Sequence, residues 1–143
     1  MNCPFCHIVE GSASAAVVLR RDGVIAFLDA RPLFPGHVLV CPDRHVETFT
    51  DAPPALLSRL FAATQQIARA VEQALGAEGS FVAINNRVSQ SVPHLHIHVV
   101  PRRRGDKLRG FFWPRQRYAS DDAREAVRRA LADALSEGAD PKG

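Results

Sequence analysis

Pro93-His94-Leu95-His96-Ile97-His98-Val99-Val100-Pro101 alternates imidazole and aliphatic side chains from His94 to Val99. A period of two belongs to a β-strand, whose side chains point to opposite faces in turn. The three histidines therefore share one face at steps of about 6.6 to 7 Å, while Leu95, Ile97 and Val99 enter a core on the other. Half of the chain's six histidines fall within these five positions, which makes an ordinary polar strand face the weaker explanation. Such a row has two chemical uses. It can ligate a metal such as zinc or copper, or it can divide nucleophilic and phosphate-binding roles among neighbouring imidazoles without a metal.

Outward from this strand, residues 81–85 are another strand candidate, separated from it by a polar loop over 86–91. Upstream, Leu56, Leu57, Leu60, Phe61, Ile67, Val71 and Leu75 recur at three- and four-residue steps, predicting one long helix over 53–75 that opens at Pro53-Pro54 and is capped by Gly76. Val17-Val18-Leu19-Arg20 and Val24-Ile25-Ala26-Phe27-Leu28 flank Asp22-Gly23, a hairpin signal. Residues 37–41 read as a third strand between Pro35-Gly36 and Pro42, and residues 4–10 as a short helix. Downstream, residues 102–109 are a basic, exposed loop, followed by an aromatic patch, Gly110-Phe111-Phe112-Trp113-Pro114. Ser120 can cap a last helix carrying Val127, Leu131 and Leu135, with Asp121 and Asp122 favouring its dipole. These elements predict an α+β fold: about five antiparallel strands, mostly in hairpin order, one long inserted helix and a C-terminal helix. A single domain is expected over 1–137, with a flexible tail over 138–143.

The chain has 143 residues, enough for one core and one site. Its 46% apolar and 23% charged residues are those of a soluble globular protein. A net charge of +3 suits an anionic small molecule as well as nucleic acid. No apolar run is long enough to span a bilayer, and Met1-Asn2-Cys3-Pro4 does not open a signal peptide, so a cytoplasmic address with no membrane partner is expected. Three cysteines, an odd number, argue against a disulfide framework. Cys3-Pro4-Phe5-Cys6 fits a zinc half-site, a redox pair or chance. Cys41 reads as a small buried apolar residue and His7 as a surface residue.

Residues 90–102, Gln90-Ser91-Val92-Pro93-His94-Leu95-His96-Ile97-His98-Val99-Val100-Pro101-Arg102, resemble the signature of the histidine triad family. The stretch is His-x-His-x-His with apolar x, preceded by Gln-Ser and followed by Pro-Arg. Pro35-Gly36-His37-Val38-Leu39-Val40-Cys41-Pro42-Asp43-Arg44-His45 resembles the family's upstream block, in which Gly-His begins a strand and Pro-x-x-His ends it. Asp29 and Asn85 stand where the family has nucleoside-binding residues, and the similarity runs from about Cys3 to Arg102.

The resemblance implies a HIT-like fold and a nucleotide hydrolase or nucleotidyl transferase. It would act on the α-phosphate of purine nucleoside phosphoramidates or dinucleoside polyphosphates through a covalent intermediate on His96. His98 and His37 would hold phosphoryl oxygens, and Gln90 and Ser91 would orient the phosphate and leaving group. Asp29 would take the ribose hydroxyls, Asn85 or its neighbour Asn86 would contact substrate, and Phe5, Ile8 and Phe27 would line the base slot, with plain core packing as their alternative. Some bacterial members pair such cysteines with two histidines. That implies a structural zinc on Cys3, Cys6, His45 and His94, a closed set that leaves no catalytic metal to expect. A homodimer is also implied, with helix 53–75 as a candidate interface. The loop over 85–90 is shorter than in many relatives and lacks their glycines, and the chain beyond Arg102 is longer than in the smallest members.

Three rival functions stay open at this point. A metal-dependent hydrolase would use His94, His96 and His98 as a catalytic zinc site. A nucleic-acid module would combine the two-cysteine, two-histidine set with the basic run, although those ligands are spread far wider than in a compact finger. A non-catalytic nucleotide-binding protein would keep the same pocket.

Overall fold

The computed structural model describes residues 2–109 and 114–137. The chain divides into two compact units after Asp106. The aromatic run Gly110-Phe111-Phe112-Trp113 and the tail over 138–143 lie outside the described residues.

The first unit contains α1 (Pro4–Glu10), β1 (Val17–Arg21), β2 (Val24–Leu28), β3 (Val38–Pro42), a 3-10 turn (Phe49–Asp51), α2 (Pro54–Leu75), β4 (Gly79–Ala83) and β5 (Ile97–Arg102). Its five strands form one antiparallel sheet in the order β1-β2-β3-β5-β4. Hairpin order holds within β1-β2-β3 and between β4 and β5. It breaks where α2 carries the chain across the sheet, so that β3 meets β5 and β4 becomes an edge.

Local chemistry explains these elements. Asp22 and Gly23 both adopt positive φ, 53° and 76°, the geometry of a tight hairpin turn whose twist matches the flanking strands. Gly76 ends α2 in the left-handed conformation, where any other residue would pay for its Cβ. Leu56, Leu60, Ala63, Ile67 and Val71 form the buried stripe of α2 and pack on Val24, Ala26, Val38, Val40, Leu95, Ile97 and Val99. Phe61 and Leu75, which share the helical period, stay partly exposed. The alternate strand residues Ile25, Phe27, Leu39 and Cys41 face the other way and pack with Cys3 and Phe5. The sheet is thus covered by α2 on one face and by α1 on the other.

Two boundaries differ from the expectation. β4 spans Gly79–Ala83 rather than 81–85, and β5 begins only at Ile97, inside the alternating run that opens at His94. The cause is local, because the Leu95 N–H donates to the Val46 carbonyl at 2.7 Å instead of joining the strand ladder. The alternation nevertheless holds through the irregular stretch, with Leu95, Ile97 and Val99 fully buried against α2.

In the second unit, α3 (Asp121–Glu137) starts as expected, with the Ala123 N–H donating to Ser120 Oγ at 3.0 Å. Its Val127, Leu131 and Leu135 are exposed. No helix among the described residues is long and apolar enough to cross a membrane.

Candidate active site and metal centre

The histidine row lies on the α1 face of the sheet. Phe5, from the short helix α1, sets its ring edge-on against three others, at centroid distances of 5.3 Å to Phe27, 5.8 Å to His94 and 5.1 Å to His96. Beside it opens a cavity of about 510 Å³ lined by Phe5, Ile8, Phe27, Asp29, Ser91, His96 and His98, among others. A larger groove of about 720 Å³ lies against α2, lined by apolar residues such as Phe34, Ile67 and Val71. It contains none of the histidines, so the chemistry belongs to the smaller cavity.

His96 is buried, and its Nδ1 lies 2.7 Å from the His94 carbonyl. A carbonyl can only accept, so Nδ1 carries the proton and Nε2 keeps its lone pair. Burial holds the His96 imidazole below its ordinary pKa, against the opposing pull of the His94 carbonyl and of Asp29. His98 is pushed down to about 4, first by burial and then by the neighbouring His96 and His37. Burial also lowers His37, with Asp29 opposing. All three rings are therefore neutral near pH 7. His37 Nε2 lies 2.9 Å from His98 Nδ1 and 3.7 Å from Asp29 Oδ2, while Asp29 Oδ1 accepts the Arg31 N–H at 2.8 Å.

These depressed pKa values carry a sign for stability. An unfolded histidine titrates near 6.5, so below that pH the unfolded chain binds protons that the folded site refuses. The contribution is complete above about pH 6.5 and is lost as pH falls towards the folded value, about 4 for His98. Calorimetry should show a steeper fall of Tm between pH 7 and pH 4.5 for the native chain than for His98→Asn. Parallel curves would contradict the assignment.

The second cluster lies behind His96. Cys3, Cys6, His45 and His94 offer ligand atoms that all lie within 4.8 Å of one another. Cys3 Sγ is 3.5 Å from His94 Nδ1, and Cys6 Sγ is 3.4 Å from His45 Nδ1 and 3.7 Å from His94 Nδ1. A tetrahedral zinc with ordinary Zn–S and Zn–N bonds separates S from N by about 3.6 Å, so the four donors fit that ion. His94 also carries the expected outer support, since its Nε2 meets the Pro42 carbonyl at 2.9 Å. The proton thus sits on Nε2, and Nδ1 is left free to ligate. Burial and the adjacent Cys3 push the Cys6 thiol up, a state that a bound cation would reverse.

A HIT domain model matches residues 10–105. This chain belongs to the HIT-domain family. It is 41% identical to an uncharacterised HIT-like protein of Mycobacterium tuberculosis, over 96% of this chain and 95% of that one. A crystal structure of a zinc-bound histidine triad family protein from Mycobacterium smegmatis is 39% identical and superposes with a TM-score of 0.73, covering 96% of this chain and 98% of that one. An Arabidopsis thaliana protein named adenylylsulfatase HINT3 is 30% identical over 75% of this chain and 55% of its own length.

Within this HIT domain, the expected site residues divide into two groups. His96, His98, Ser91, Asp29, Phe5, Ile8 and Phe27 line the cavity together, and His37 stands directly behind His98. Gln90 is turned elsewhere: its amide donates to the Glu47 carbonyl at 2.7 Å and its Oε1 accepts the Arg87 N–H at 2.8 Å. Asn86 Oδ1 accepts the Phe49 N–H, and Asn85 is exposed outside the cavity lining. These bonds pin a loop in which Arg87 and Ser89 hold positive φ, 65° and 60°. Cys41 is fully buried as expected, and His7 is partly exposed beside Ser12 and Asn2. The cavity walls contributed by Ser14, Ala15, Leu39 and Val92 were not anticipated. Leu39 reaches the cavity through its pairing with His98 across β3 and β5, which no local sequence pattern records.

Proposed function

We propose that the chain is a nucleotidyl hydrolase or transferase in which His96 Nε2 attacks the α-phosphorus of a purine nucleotide. The observation that carries this reading is the bond from His96 Nδ1 to the His94 carbonyl, which leaves a neutral, directed lone pair beside the cavity. In the first step the N–P bond forms as the bond to the leaving group breaks, and the leaving group takes the electron pair. In the second, water or another acceptor attacks phosphorus, the N–P bond breaks with its electron pair returning to Nε2, and the acceptor's proton is released to solvent. A neutral imidazole approaches an anionic phosphate without the repulsion that hydroxide meets, and surrounding N–H donors meet the charge that develops on the phosphoryl oxygens. The name of the Arabidopsis relative, an adenylylsulfatase, supports an adenylyl substrate. Phosphoramidates and dinucleoside polyphosphates are the candidate classes.

Phe5, Ile8 and Phe27 form an apolar slot for the base, and Asp29 accepts the ribose hydroxyls. Asp29→Ala should weaken binding of a ribonucleotide while barely affecting its 2′,3′-dideoxy analogue, as measured by calorimetric titration. Equal losses for the two ligands would make Asp29 a structural residue. Zinc on Cys3, Cys6, His45 and His94 stabilises the fold and takes no part in turnover. A homodimer belongs to the same reading and is checked by sedimentation velocity.

A metal-hydrolase reading has one observation in its favour: Asp29, His37 and His98 also bring three donor atoms together. There, however, the Leu33 N–H donates to His37 Nδ1 at 3.1 Å. The His37 proton then occupies Nε2, the position a metal would need. A panel of adenosine and guanosine phosphoramidates and dinucleoside polyphosphates, with product identification, tests the main reading. Formation of the nucleoside monophosphate or its transfer to an acceptor supports it, and no turnover of any member contradicts it.

A further inference from the structure

Two hydrogen bonds in series run from the main chain to the cavity wall. The Leu33 N–H donates to His37 Nδ1 at 3.1 Å, His37 Nε2 lies 2.9 Å from His98 Nδ1, and His98 lines the cavity beside His96. A backbone amide donates and never accepts, so His37 Nδ1 is an acceptor and the proton of the neutral ring sits on Nε2. That proton is the one shared with His98, whose Nδ1 must then accept. His98 is left with its own proton on Nε2. We propose that the Leu33 amide fixes the tautomers of both histidines, so that His98 offers the cavity an N–H that donates a hydrogen bond but is not surrendered as a proton.

The proton count along the series explains the second half of that statement. Were His98 to release its Nε2 proton and take one from His37, His37 would become an imidazolate, because an amide has no proton to pass on. Asp29 Oδ2, 3.7 Å from His37 Nε2, makes a negative ring still less favourable. The neutrality of His98, whose pKa is pushed down to about 4, keeps a spare proton out of the pair near pH 7. On the reading of His96 as nucleophile, His98 then stabilises the charge developing on a phosphoryl oxygen, and the leaving group departs with a proton from solvent or its own.

The amide is held for this task by the loop between β2 and β3. The Asp29 N–H donates to the His37 carbonyl at 2.9 Å, the His37 N–H to the Phe34 carbonyl at 3.0 Å, and the Arg31 N–H to Asp29 Oδ1 at 2.8 Å. The Leu33 side chain is 57% exposed, so its main chain makes the contribution. Leu33 is thus a positioning residue, invisible to any reading of side-chain chemistry.

Ring nitrogen NMR on uniformly ¹⁵N-labelled protein at pH 7 tests the proposal without reference to activity. The expected pattern is protonated Nε2 and unprotonated Nδ1 for both His37 and His98, with the reverse for His96. Leu33→Pro removes the amide hydrogen and should bring His37 into exchange between its two tautomers, whereas Leu33→Ala keeps the native pattern. A proton on Nδ1 of either His37 or His98 in the native chain would overturn the proposal. So would a folded Leu33→Pro variant with the native pattern. If that variant does not fold, the native spectrum alone decides. Because the tautomers are read directly, the proposal and the role of His96 as nucleophile can fail separately.

Discussion

His96→Ala should lower turnover by several orders of magnitude while leaving affinity for the nucleoside monophosphate product nearly unchanged. On the proposed reading, the substitution removes the attacking nitrogen and leaves the base slot of Phe5, Ile8 and Phe27 and the ribose acceptor Asp29 in the cavity wall. Water attacking directly lacks the positioned nucleophile, whose placement close to phosphorus accounts for much of the rate. Rapid-quench kinetics should also trap, in the native chain and not in the variant, an acid-labile, base-stable phosphoramidate on a peptide containing His96. Near-native turnover in the variant would contradict His96 as the nucleophile.

The second large effect belongs to the metal centre. α1 has only seven residues, and its N-cap residue Cys3 makes no side-chain capping bond, so it is too short to hold itself together. In the proposed zinc site, one ion would join its cysteines to His45 and His94 and so tie the helix to the sheet. Elemental analysis of protein purified without added metal should find one zinc per chain. Cys3→Ser should lower Tm by about 10 °C or more, since a structural zinc supplies several kcal/mol of folding free energy and each kcal/mol moves Tm by roughly 4 °C at this size. Turnover per folded molecule should change far less, because no step passes through the ion. Absence of zinc, with Cys3 and Cys6 freely titratable in the folded protein, would remove the metal from the account.

What could be read in advance was whatever repeats over short distances. The three- and four-residue steps of α2 and the Asp22-Gly23 turn encode local geometry in side-chain type and appear as expected, and the period of two from His94 to Val99 survives as alternating burial although the strand itself begins only at Ile97. The meeting of β3 with β5 was not legible, because strand order depends on where α2 returns the chain and no local pattern records it. The start of β5 at Ile97 depends on a main-chain bond from Leu95 to Val46, and the tautomer of His37 on another from Leu33. Neither leaves a mark on side-chain identity. Gln90 shows the converse: a polar residue beside the triad is turned to the Glu47 carbonyl, a partner far away in sequence.

The most direct measurement of the central claim is the stereochemical course at phosphorus. A substrate carrying a chiral α-thiophosphate is turned over in ¹⁸O-labelled water, and the configuration of the product is determined. Two in-line displacements, one by His96 Nε2 and one by water, each invert phosphorus, so the account predicts net retention. Net inversion would mean a single displacement by water, and would contradict a covalent intermediate on His96.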